Sequence, residues 1–253
     1  MPYQFATDRP DYSDLASGRV LYNLPGHPAF PIRLADEIVQ RCLAVRKENH
    51  LKEPCTLFDP CCGGAYLLSV LGYLHWGAYR EIIASDVDQD SIHTAQKNLG
   101  LLSRVGMEQR INELKEMCRL YGKKSHQDAL ESAYRLQQKI NIQTRDHLVQ
   151  TRAFQANALD KKQLQGALNN VGIDIVFADV PYGHHSQWQR PISGTESSPP
   201  LWQMLNSFLG ILLPTSLVAV AFDKSQKATH EGYHRLDQFQ VGKRRIAILR
   251  PKI

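Results

Sequence analysis

The sequence predicts an α/β protein built on an open, mostly parallel sheet with helices on both faces. A short strand at residues 56–58 leads into a glycine turn and then a helix. A second strand, residues 81–85, ends in acidic residues, and residues 173–178 form a continuous apolar run. Open α/β sheets build nucleotide sites from a strand, a glycine turn and a helix N-terminus. A continuous apolar run is typical of a parallel strand buried on both faces.

The length and composition predict one domain with a core of ordinary size. The chain has 253 residues, of which 43% are hydrophobic and 22% are charged, as in soluble globular proteins. We predict a single domain over residues 1–253, with an N-terminal wrapping segment and helix at 1–50 and a helical insertion at 103–150. The longest apolar run, residues 208–222, is interrupted by Pro214, so we expect no membrane span.

The cysteines and the N-terminus predict a cytoplasmic protein without a metal. Five cysteines is an odd number, and Cys61 adjoins Cys62, which suits free thiols in a reducing compartment. The N-terminus lacks the basic and apolar regions of a secretory signal. No C-x-x-C pair is present. His230 and His234 match the zinc-protease pattern H-E-x-x-H, but Gly232 between them disfavours the helix that this chemistry needs.

The positive charge of the chain is unevenly distributed. Net charge is +5 and the pI is near 8.9. Residues 224–253 contain eight Lys or Arg against two acidic residues, and residues 103–150 contain nine against six. Basic surfaces in two places fit a polyanionic partner such as RNA or DNA. A solvated surface that binds nothing is the alternative interpretation.

The first third of the chain divides into a wrapping segment and two strand–helix units. Residues 1–30 are rich in Pro, Tyr, Asp and Gly and are expected to wrap the domain without a core of their own. A helix is predicted from Pro31 to about residue 45, because its apolar residues fall on one face. Another helix is predicted over residues 66–76. Asp88 is predicted as the N-cap of the helix after the second strand.

The predicted insertion, residues 103–150, is a helical hairpin. Apolar residues recur at helical spacing in both halves. Ser125 and Asp128 form a capping-box variant that predicts the start of the second helix. The tip carries Lys123 and Lys124. The hairpin either contacts a nucleic-acid backbone or only packs against the domain, and the sequence leaves both open.

The remaining elements complete an α/β sheet. The third strand is predicted at residues 151–155 and the fourth at 173–178. A helix at about 201–213 precedes the fifth strand, residues 216–222. The last two strands are predicted near residues 234–240 and 245–249.

The glycine turn carries the first functional motif, Asp59-x-x-x-Gly63-x-Ala65. An acidic residue closes the strand before the glycines, unlike the G-x-G-x-x-G fingerprint of dinucleotide sites. Asp86 lies 22 residues after Gly64, close to the offset of about 20 at which an acidic side chain meets ribose hydroxyls. The alternative is an ordinary α/β turn followed by a strand that ends at a helix cap.

The second motif, Asp179-Val180-Pro181-Tyr182, follows the apolar run. The Asp179 carboxylate and the carbonyl of Val180 can accept hydrogen bonds from the N–H groups of a base, which makes its nitrogen a better nucleophile. Pro181 restricts φ and orients that carbonyl. Tyr182 offers a ring on which an unpaired or flipped base can stack. The alternative is a turn in which the tyrosine is merely packed.

Two further stretches could contact nucleic acid. Trp188 and Arg190 lie in a Ser- and Pro-rich stretch after the second motif, where a ring could stack on a base and a guanidinium could bind phosphate. A surface loop is the alternative. Lys243, Arg244 and Arg245 precede the last strand and either contact RNA or form a basic edge that resists aggregation.

These motifs together resemble S-adenosylmethionine-dependent methyltransferases. The glycine turn is similar to their D-x-x-x-G-x-G loop, with Ala65 in place of the last glycine, and Asp179–Tyr182 is similar to the [DN]-P-P-[YF] loop of amino-methylating enzymes. Five segments resemble the avilamycin-resistance (AviRa) family of ribosomal RNA methyltransferases: residues 11–18, 25–31, 59–63, 84–88 and 179–183. The resemblance implies a Rossmann-like, seven-stranded class I sheet, S-adenosylmethionine as cofactor and methylation of a guanine in large-subunit ribosomal RNA.

The candidate site residues fall into three groups. Cofactor binding is predicted for Asp59, Cys61, Gly63, Gly64, Asp86, Val87 and Asn157, with Asp59 at the methionine end and Asn157 near the adenine. The target-base residues are Asp179, Pro181 and Tyr182. RNA contacts are predicted for Lys123, Lys124, Trp188, Arg190, Lys243, Arg244 and Arg245.

Two alternative functions remain at this point. A DNA amino-methylase would use similar loop chemistry, although no separate target-recognition domain is visible. A non-catalytic RNA-binding or ribosome-assembly protein with a decayed cofactor site is suggested by Ala65.

Overall fold

The computed structural model describes residues 3–26, 29–180, 188 and 198–253, and its centre is one seven-stranded sheet. The strands are β1 (Cys55–Asp59), β2 (Tyr79–Asp86), β3 (Gln150–Gln155), β4 (Ile173–Asp179), β5 (Leu212–Asp223), β6 (Tyr233–Val241) and β7 (Arg244–Pro251). Their spatial order is β3-β2-β1-β4-β5-β7-β6. The first five pair in parallel, and β7 runs antiparallel to both β5 and β6. The predicted α/β fold is confirmed.

Helices cover both faces of the sheet. They are α1 (Ile32–Glu48), α2 (Tyr66–Leu74), α3 (Gln89–Gly100), α4 (Arg104–Tyr121), α5 (Lys124–Asp146), α6 (Lys161–Leu168) and α7 (Pro200–Phe208), with short 3₁₀ turns at Ser13–Leu15 and Trp76–Ala78. The first five helices, α1 through α5, pack against one face of the sheet and form the first core cluster with it. Helices α6 and α7 pack against the other face and form the second core cluster. Adjacent residues of one strand divide between the two clusters, as Leu57 and Phe58 do, because side chains alternate along a strand.

The start of α5 corrects one prediction. The capping-box variant at Ser125 and Asp128 is wrong, since α5 begins at Lys124 and its N-cap, Lys123, makes no side-chain capping bond. Gly122 ends α4 in the left-handed conformation, with φ of 58°. The chain therefore reverses at once, and the carbonyl of Lys123 accepts the first helical hydrogen bonds, from the N–H groups of His126 and Gln127.

The boundaries around β5 also differ from prediction. Helix α7 ends at Phe208 and β5 begins at Leu212, whereas the sequence predicted a helix to residue 213 and a strand from residue 216. Periodicity does not separate a buried helix from a strand in a continuous apolar run, so the boundary was placed too late. The helix predicted over residues 66–76 ends at Leu74 and continues as a 3₁₀ turn.

The N-terminal segment lies against α1 and adds to the first core cluster. The buried carboxylate of Glu37 in α1 accepts three backbone N–H groups, from Gln4, Phe5 and Ala6, at 2.8 to 2.9 Å. Burial acts to raise the pKa of Glu37, but these hydrogen bonds and one from Arg41 lower it below its usual value. The segment thus obtains its order from the domain and not from a core of its own. Within the described ranges, no helix is long and apolar enough to cross a membrane.

Candidate active site

A cavity of about 440 Å³ opens at the carboxyl edge of β1, β2 and β4. Ligands of open α/β sheets bind at this edge, where the strand order reverses. One wall is the glycine turn after β1, and another is part of the N-terminal segment. Ten of the candidate residues line it: Asp59, Cys61, Gly63, Gly64, Asp86, Val87, Asn157, Asp179, Trp188 and Arg244.

The two glycines of the turn serve different purposes. Gly63 has φ of 50°, a conformation that favours glycine. Gly64 permits close packing, because an added Cβ would lie 3.0 Å from Thr94 Cγ2 and 3.3 Å from Leu24 Cβ. The turn therefore brings backbone to the cavity wall where a larger residue would collide with its neighbours.

Asp86 is held by the backbone around it. Its Oδ2 accepts the N–H of Gly63 at 2.8 Å, and its Oδ1 accepts the N–H of Asp88 at 3.0 Å. The next acidic residue, Asp88, caps α3 by accepting the N–H of Ser91 at 2.7 Å, which confirms the predicted N-cap. A carboxylate oxygen has more than one lone pair, so Asp86 can bind these amides and still accept ligand hydroxyls.

Asp59 is almost completely buried at the end of β1, with an exposed fraction of 2%. Its Oδ1 accepts the N–H of Cys61 at 2.9 Å. Burial raises the pKa of Asp59 well above its usual value, and the nearby carboxylates of Asp179 and Asp86 add to this effect. A positively charged ligand would favour the ionised forms of these acids, so three acidic side chains around one cavity suit such a ligand. In the described part of the chain, no cluster of His, Cys, Asp and Glu side chains is placed to hold a metal ion.

Ala65 does not narrow the cavity. It is the N-cap of α2 and adopts the left-handed conformation, with φ of 52°. Its side chain is fully buried in the first core cluster, and Ala65 is not among the described residues that line the cavity. The extra methyl group therefore meets the core and not the ligand, which removes the sequence argument for a decayed cofactor site.

Asn157 follows β3 and lines the cavity in a polar turn. Its Oδ1 accepts the N–H of Leu159, and its own N–H donates to Gln163 Oε1, both at 2.9 Å. The first contact, from the asparagine side chain to the backbone two residues further on, is an Asx-turn, which is common for asparagine at the end of a strand. The predicted contact of Asn157 with adenine stays a prediction.

Asp179 lies at the end of β4, which is separated by β1 from β2, the strand that carries Asp86. The N–H of the next residue, Val180, donates to the carbonyl of Ala221 at 3.1 Å, which anchors the strand end. The Asp179 side chain is 27% exposed, and its Oδ1 lies 4.0 Å from Arg244 Nε. Burial raises the pKa of Asp179 to about 7, and the positive charge of Arg244 acts against this rise. Pro181, Tyr182 and Arg190 lie outside the described residues.

Comparison with known proteins identifies the family. The sequence matches the family described as rRNA methyltransferase AviRa over residues 1–244. The chain belongs to the AviRa family. A curated relative from Streptomyces viridochromogenes, named 23S rRNA (guanine(2535)-N(1))-methyltransferase, is 38% identical over 248 residues, which cover 98% of this chain and 95% of the relative.

Solved structures agree with the family assignment. Two structures of the rRNA methyltransferase AviRa from Streptomyces viridochromogenes, at 2.4 and 1.5 Å, match with TM-scores of 0.85 and 0.84. The sequence identities are 36% and 37%, and each match covers 99% of this chain and 96% of the solved chain. The predicted AviRa resemblance, the class I methyltransferase fold and the methyltransferase activity are therefore confirmed.

Of the basic residues predicted to contact RNA, most of those that the structure describes lie away from the cavity of this AviRa-family chain. Lys123 and Lys124 are exposed at the tip between α4 and α5, and Lys243 is exposed in the turn before β7. Arg245 follows Arg244 on β7, so its side chain points to the other face of the sheet. Only Arg244 of these five basic residues lines the cavity. RNA contacts by all five stay predictions.

Asn98 in α3 is a site residue to which the sequence assigned no role. Its buried amide accepts the N–H of Tyr22 at 2.8 Å and donates to the carbonyls of Tyr22 at 3.0 Å and Gly64 at 2.7 Å. It thus joins the glycine turn to the N-terminal segment. A polar residue on the apolar face of α3 was the available signal, because buried amides are almost always hydrogen-bonded.

The helical insertion supports the N-terminal wall of the AviRa-family cavity. Arg135 in α5 forms an ion pair with Asp14, with Nη2 2.7 Å from Oδ1. In α4, Arg110 Nε donates to the carbonyl of Val20 at 2.9 Å. Tyr22, which lines the cavity, donates its hydroxyl to Glu113 at 2.8 Å. The packing role of the hairpin is therefore observed, and an RNA contact at its tip stays a prediction.

Proposed function

We propose that this chain transfers a methyl group from S-adenosylmethionine to N1 of a guanine in large-subunit ribosomal RNA. Family membership and the name of the curated relative support the substrate. The observation that carries the proposal is one shared cavity. In it, Asp179 lies with the glycine turn and the carboxylates of Asp59 and Asp86.

The cavity suits S-adenosylmethionine in size and in charge. Its volume of about 440 Å³ lies in the range of small-molecule sites. The cofactor carries positive charge on its sulfur and its amino group, which suits the acidic side chains of Asp59 and Asp86. We assign Asp59 to the amino group, Asp86 to the ribose hydroxyls, and Val87 and Asn157 to the adenine. The backbone of Gly63 and Gly64, with Cys61, would form the wall at the methionine end.

The target nitrogen determines what Asp179 must do. N1 of neutral guanine carries a proton, and its lone pair is delocalised into the ring, so the proton must leave for N1 to become nucleophilic. A carboxylate with a pKa of about 7 is well matched to accept that proton near neutral pH. When bound, S-adenosylmethionine supplies an electrophilic methyl carbon, and its sulfur keeps the electron pair of the broken bond.

The rest of the predicted target-base loop would position the guanine. The carbonyl of Val180 would accept a hydrogen bond from the 2-amino group beside N1. Pro181 would orient that carbonyl, and Tyr182 would stack on the base. Trp188 lines the cavity and offers a second ring for stacking.

The RNA itself would approach the carboxyl edge of the sheet. Arg190, Lys243, Arg245, Lys123 and Lys124 are the candidates for phosphate contacts. We propose that residues 1–253 act as one domain and that the enzyme works in the cytoplasm, where ribosomal RNA is found. The DNA amino-methylase and non-catalytic alternatives have no support from the family match.

Two measurements test this function. Calorimetric titration should show saturable binding of S-adenosylmethionine and of S-adenosylhomocysteine. Large-subunit RNA from a strain that lacks this gene should then accept label from methyl-labelled cofactor, and nucleoside analysis should find 1-methylguanosine. A well-folded protein that binds neither ligand would contradict the cofactor assignment. Label in a different nucleoside would contradict the target atom.

A further inference from the structure

Arg244 is separated from its basic neighbours by the geometry of β7. Even-numbered residues of this strand, such as Ile246 and Ile248, belong to the first core cluster, whereas Ala247 and Leu249 belong to the second. Arg244 therefore points to the face on which Phe30 and the cavity lie, and its guanidinium carbon lies 5.0 Å from the centre of the Phe30 ring.

The strand between Arg244 and Asp179 leaves room for their side chains to approach. In β5, Ala221 pairs with Asp179 on one side and with Ile246 on the other, and Arg244 pairs with Asp223. The small side chain of Ala221 lies between β4 and β7, so the long arginine can reach across β5. Its Nε lies 4.0 Å from Asp179 Oδ1, and both residues line the cavity.

We propose that Arg244 is a catalytic residue that binds O6 of the target guanine while Asp179 takes the proton from N1. In this step the N1–H bond breaks and the proton moves to an Asp179 oxygen. The electron pair stays on the guanine, shared between N1 and O6. A guanidinium placed at O6 stabilises the negative charge that develops there. This inference rests on the proposed function and assigns it a second reacting group.

The same pair of groups would select guanine over adenine. Guanine presents a donor, N1–H, beside an acceptor, O6, and these match a carboxylate beside a guanidinium. Adenine presents the reverse arrangement, an acceptor at N1 beside a donor at N6. It would place a lone pair against Asp179 and an N–H against Arg244, so both contacts would be repulsive.

Arg244 also affects the protonation of Asp179. Within the described residues, the titratable groups that face Asp179 are Asp59 at the end of β1, Cys61 in the glycine turn and Arg244 on β7. Arg244 is the positive charge among them, and it acts to lower the pKa of Asp179. Loss of this charge should therefore raise that pKa and leave less of the base ionised at neutral pH.

The test uses two variants and a matched control. Arg244→Met keeps an unbranched stem over Phe30 but removes the charge, and Arg244→Lys keeps the charge. Arg250→Met is the control. Arg250 lies on the same face of β7 as Arg244, but near the opposite end of the strand and so away from the carboxyl edge that holds the cavity. Each protein is checked by thermal unfolding and assayed in single turnovers on large-subunit RNA that lacks the modification.

We expect Arg244→Met to lower the methyl-transfer rate by roughly 10²- to 10³-fold, the usual cost of losing a preorganised charge-stabilising donor. The acid limb of its pH profile should move to higher pH, and its affinity for the RNA should stay unchanged. Arg244→Lys should recover part of the rate, and Arg250→Met should match the wild type.

A second readout needs neither cofactor nor activity. In ¹³C NMR titrations of carboxyl-labelled protein, with Asp179→Asn to assign the signal, Asp179 should titrate at higher pH in Arg244→Met than in the wild type. If Arg244→Lys folds but Arg244→Met does not, the wild type and Arg244→Lys are compared in the same titration and should differ little.

Three results would overturn the role of Arg244. One is a normal rate with weaker RNA binding in Arg244→Met, which would make Arg244 a phosphate contact. Another is equal rates for the Met and Lys variants, and the third is an Asp179 signal that does not move. If the wild type made no 1-methylguanosine at all, the proposed function would fail and this inference with it, whatever the variants did.

Discussion

The two halves of the cavity differ in how their polar groups are satisfied. On the side of β1 and β2, Asp86 accepts two backbone N–H groups, and Asn98 makes three hydrogen bonds that join the glycine turn to the N-terminal segment. On the side of β4 and β7, Asp179 Oδ1 is buried without a hydrogen bond from the described residues, and Arg244 lies 4.0 Å away.

This difference indicates two kinds of binding site in one cavity. The first half is organised by the protein itself, so a ligand meets groups that are already in place, and little ordering is needed on binding. In the second half, Asp179 Oδ1 has no hydrogen-bond partner among the described residues, which suits its proposed role as the acceptor of a substrate proton. A buried polar group without a hydrogen bond lowers stability, and such groups are typical of functional sites.

The largest effect is expected from Asp179→Asn. An amide cannot accept the N1 proton, so methyl transfer should fall by about 10²- to 10⁴-fold. Cofactor affinity should be unchanged, because the β1–β2 half is intact. The melting temperature at pH 8 should stay equal or rise, since a buried charge is removed. Calorimetry measures the cofactor affinity, an activity assay the methyl-transfer rate and thermal unfolding the melting temperature. Weaker cofactor binding would show that the two halves of the cavity do not bind their ligands independently.

The pH dependence of the wild type should follow the same residue. Asp179 must be ionised to accept a proton, so kcat/KM should rise with pH and reach half its plateau at about pH 7. The folded state holds this proton up to about pH 7 and the unfolded state only to about pH 4. The contribution of Asp179 to stability therefore falls as pH rises through that window. A half-point in the ordinary carboxyl range would contradict this assignment.

A smaller but clear effect is expected from Asp86→Ala. The change removes the proposed ribose acceptor and the partner of two backbone N–H groups, those of Gly63 and Asp88. A hydrogen bond to a charged group contributes about 1.5–3 kcal/mol, so the cofactor Kd should rise by about 10- to 100-fold. Asp86→Asn, which keeps one acceptor, should lose less. Calorimetric Kd values of equal size for both variants would argue against the ribose contact.

Asn98→Ala should mainly lower stability. Three hydrogen-bonding groups of Tyr22 and Gly64 lose their partner, and leaving a buried group unpaired costs about 1–3 kcal/mol. Denaturant titration should show a loss of that order, with weaker cofactor binding because the glycine turn loosens. Gln96→Ala, on the exposed side of the same helix, is the control and should change little. A loss as small as that of the control would mean that water replaces the amide.

The smallest effect is expected from Ala65→Gly, because one stabilising contribution to the free energy of folding is offset by two destabilising ones. Relief of the left-handed conformation gains about 1–2 kcal/mol. Added chain entropy costs about 0.5–1 kcal/mol, and loss of a buried methyl group about 0.8 kcal/mol. The free energy of unfolding should change by less than about 1 kcal/mol, and cofactor affinity should not change. A large gain in affinity would revive the idea of a weakened cofactor site.

Most of the β1–β2 half was predictable from the sequence. Asp59, Gly63 and Asp86 lie at or just after strand ends, and the carboxyl ends of parallel strands meet at one edge. Asp179 follows from the same rule once residues 173–178 are recognised as a buried strand. These predictions succeeded because each depends on a short local pattern and on the order of the strands.

The sequence by itself determined the class of fold, the glycine turn and the acidic strand ends. Only the tertiary structure decided which face of β7 carries Arg244, that Ala221 leaves it room, and that Asn98 holds Tyr22. The Asp14–Arg135 pair spans 121 positions and the Asn98–Tyr22 contact 76. Contacts of this kind depend on how distant elements pack, and no local pattern encodes them. The same holds for the wall formed by the N-terminal segment, whose order comes from the helices it rests on.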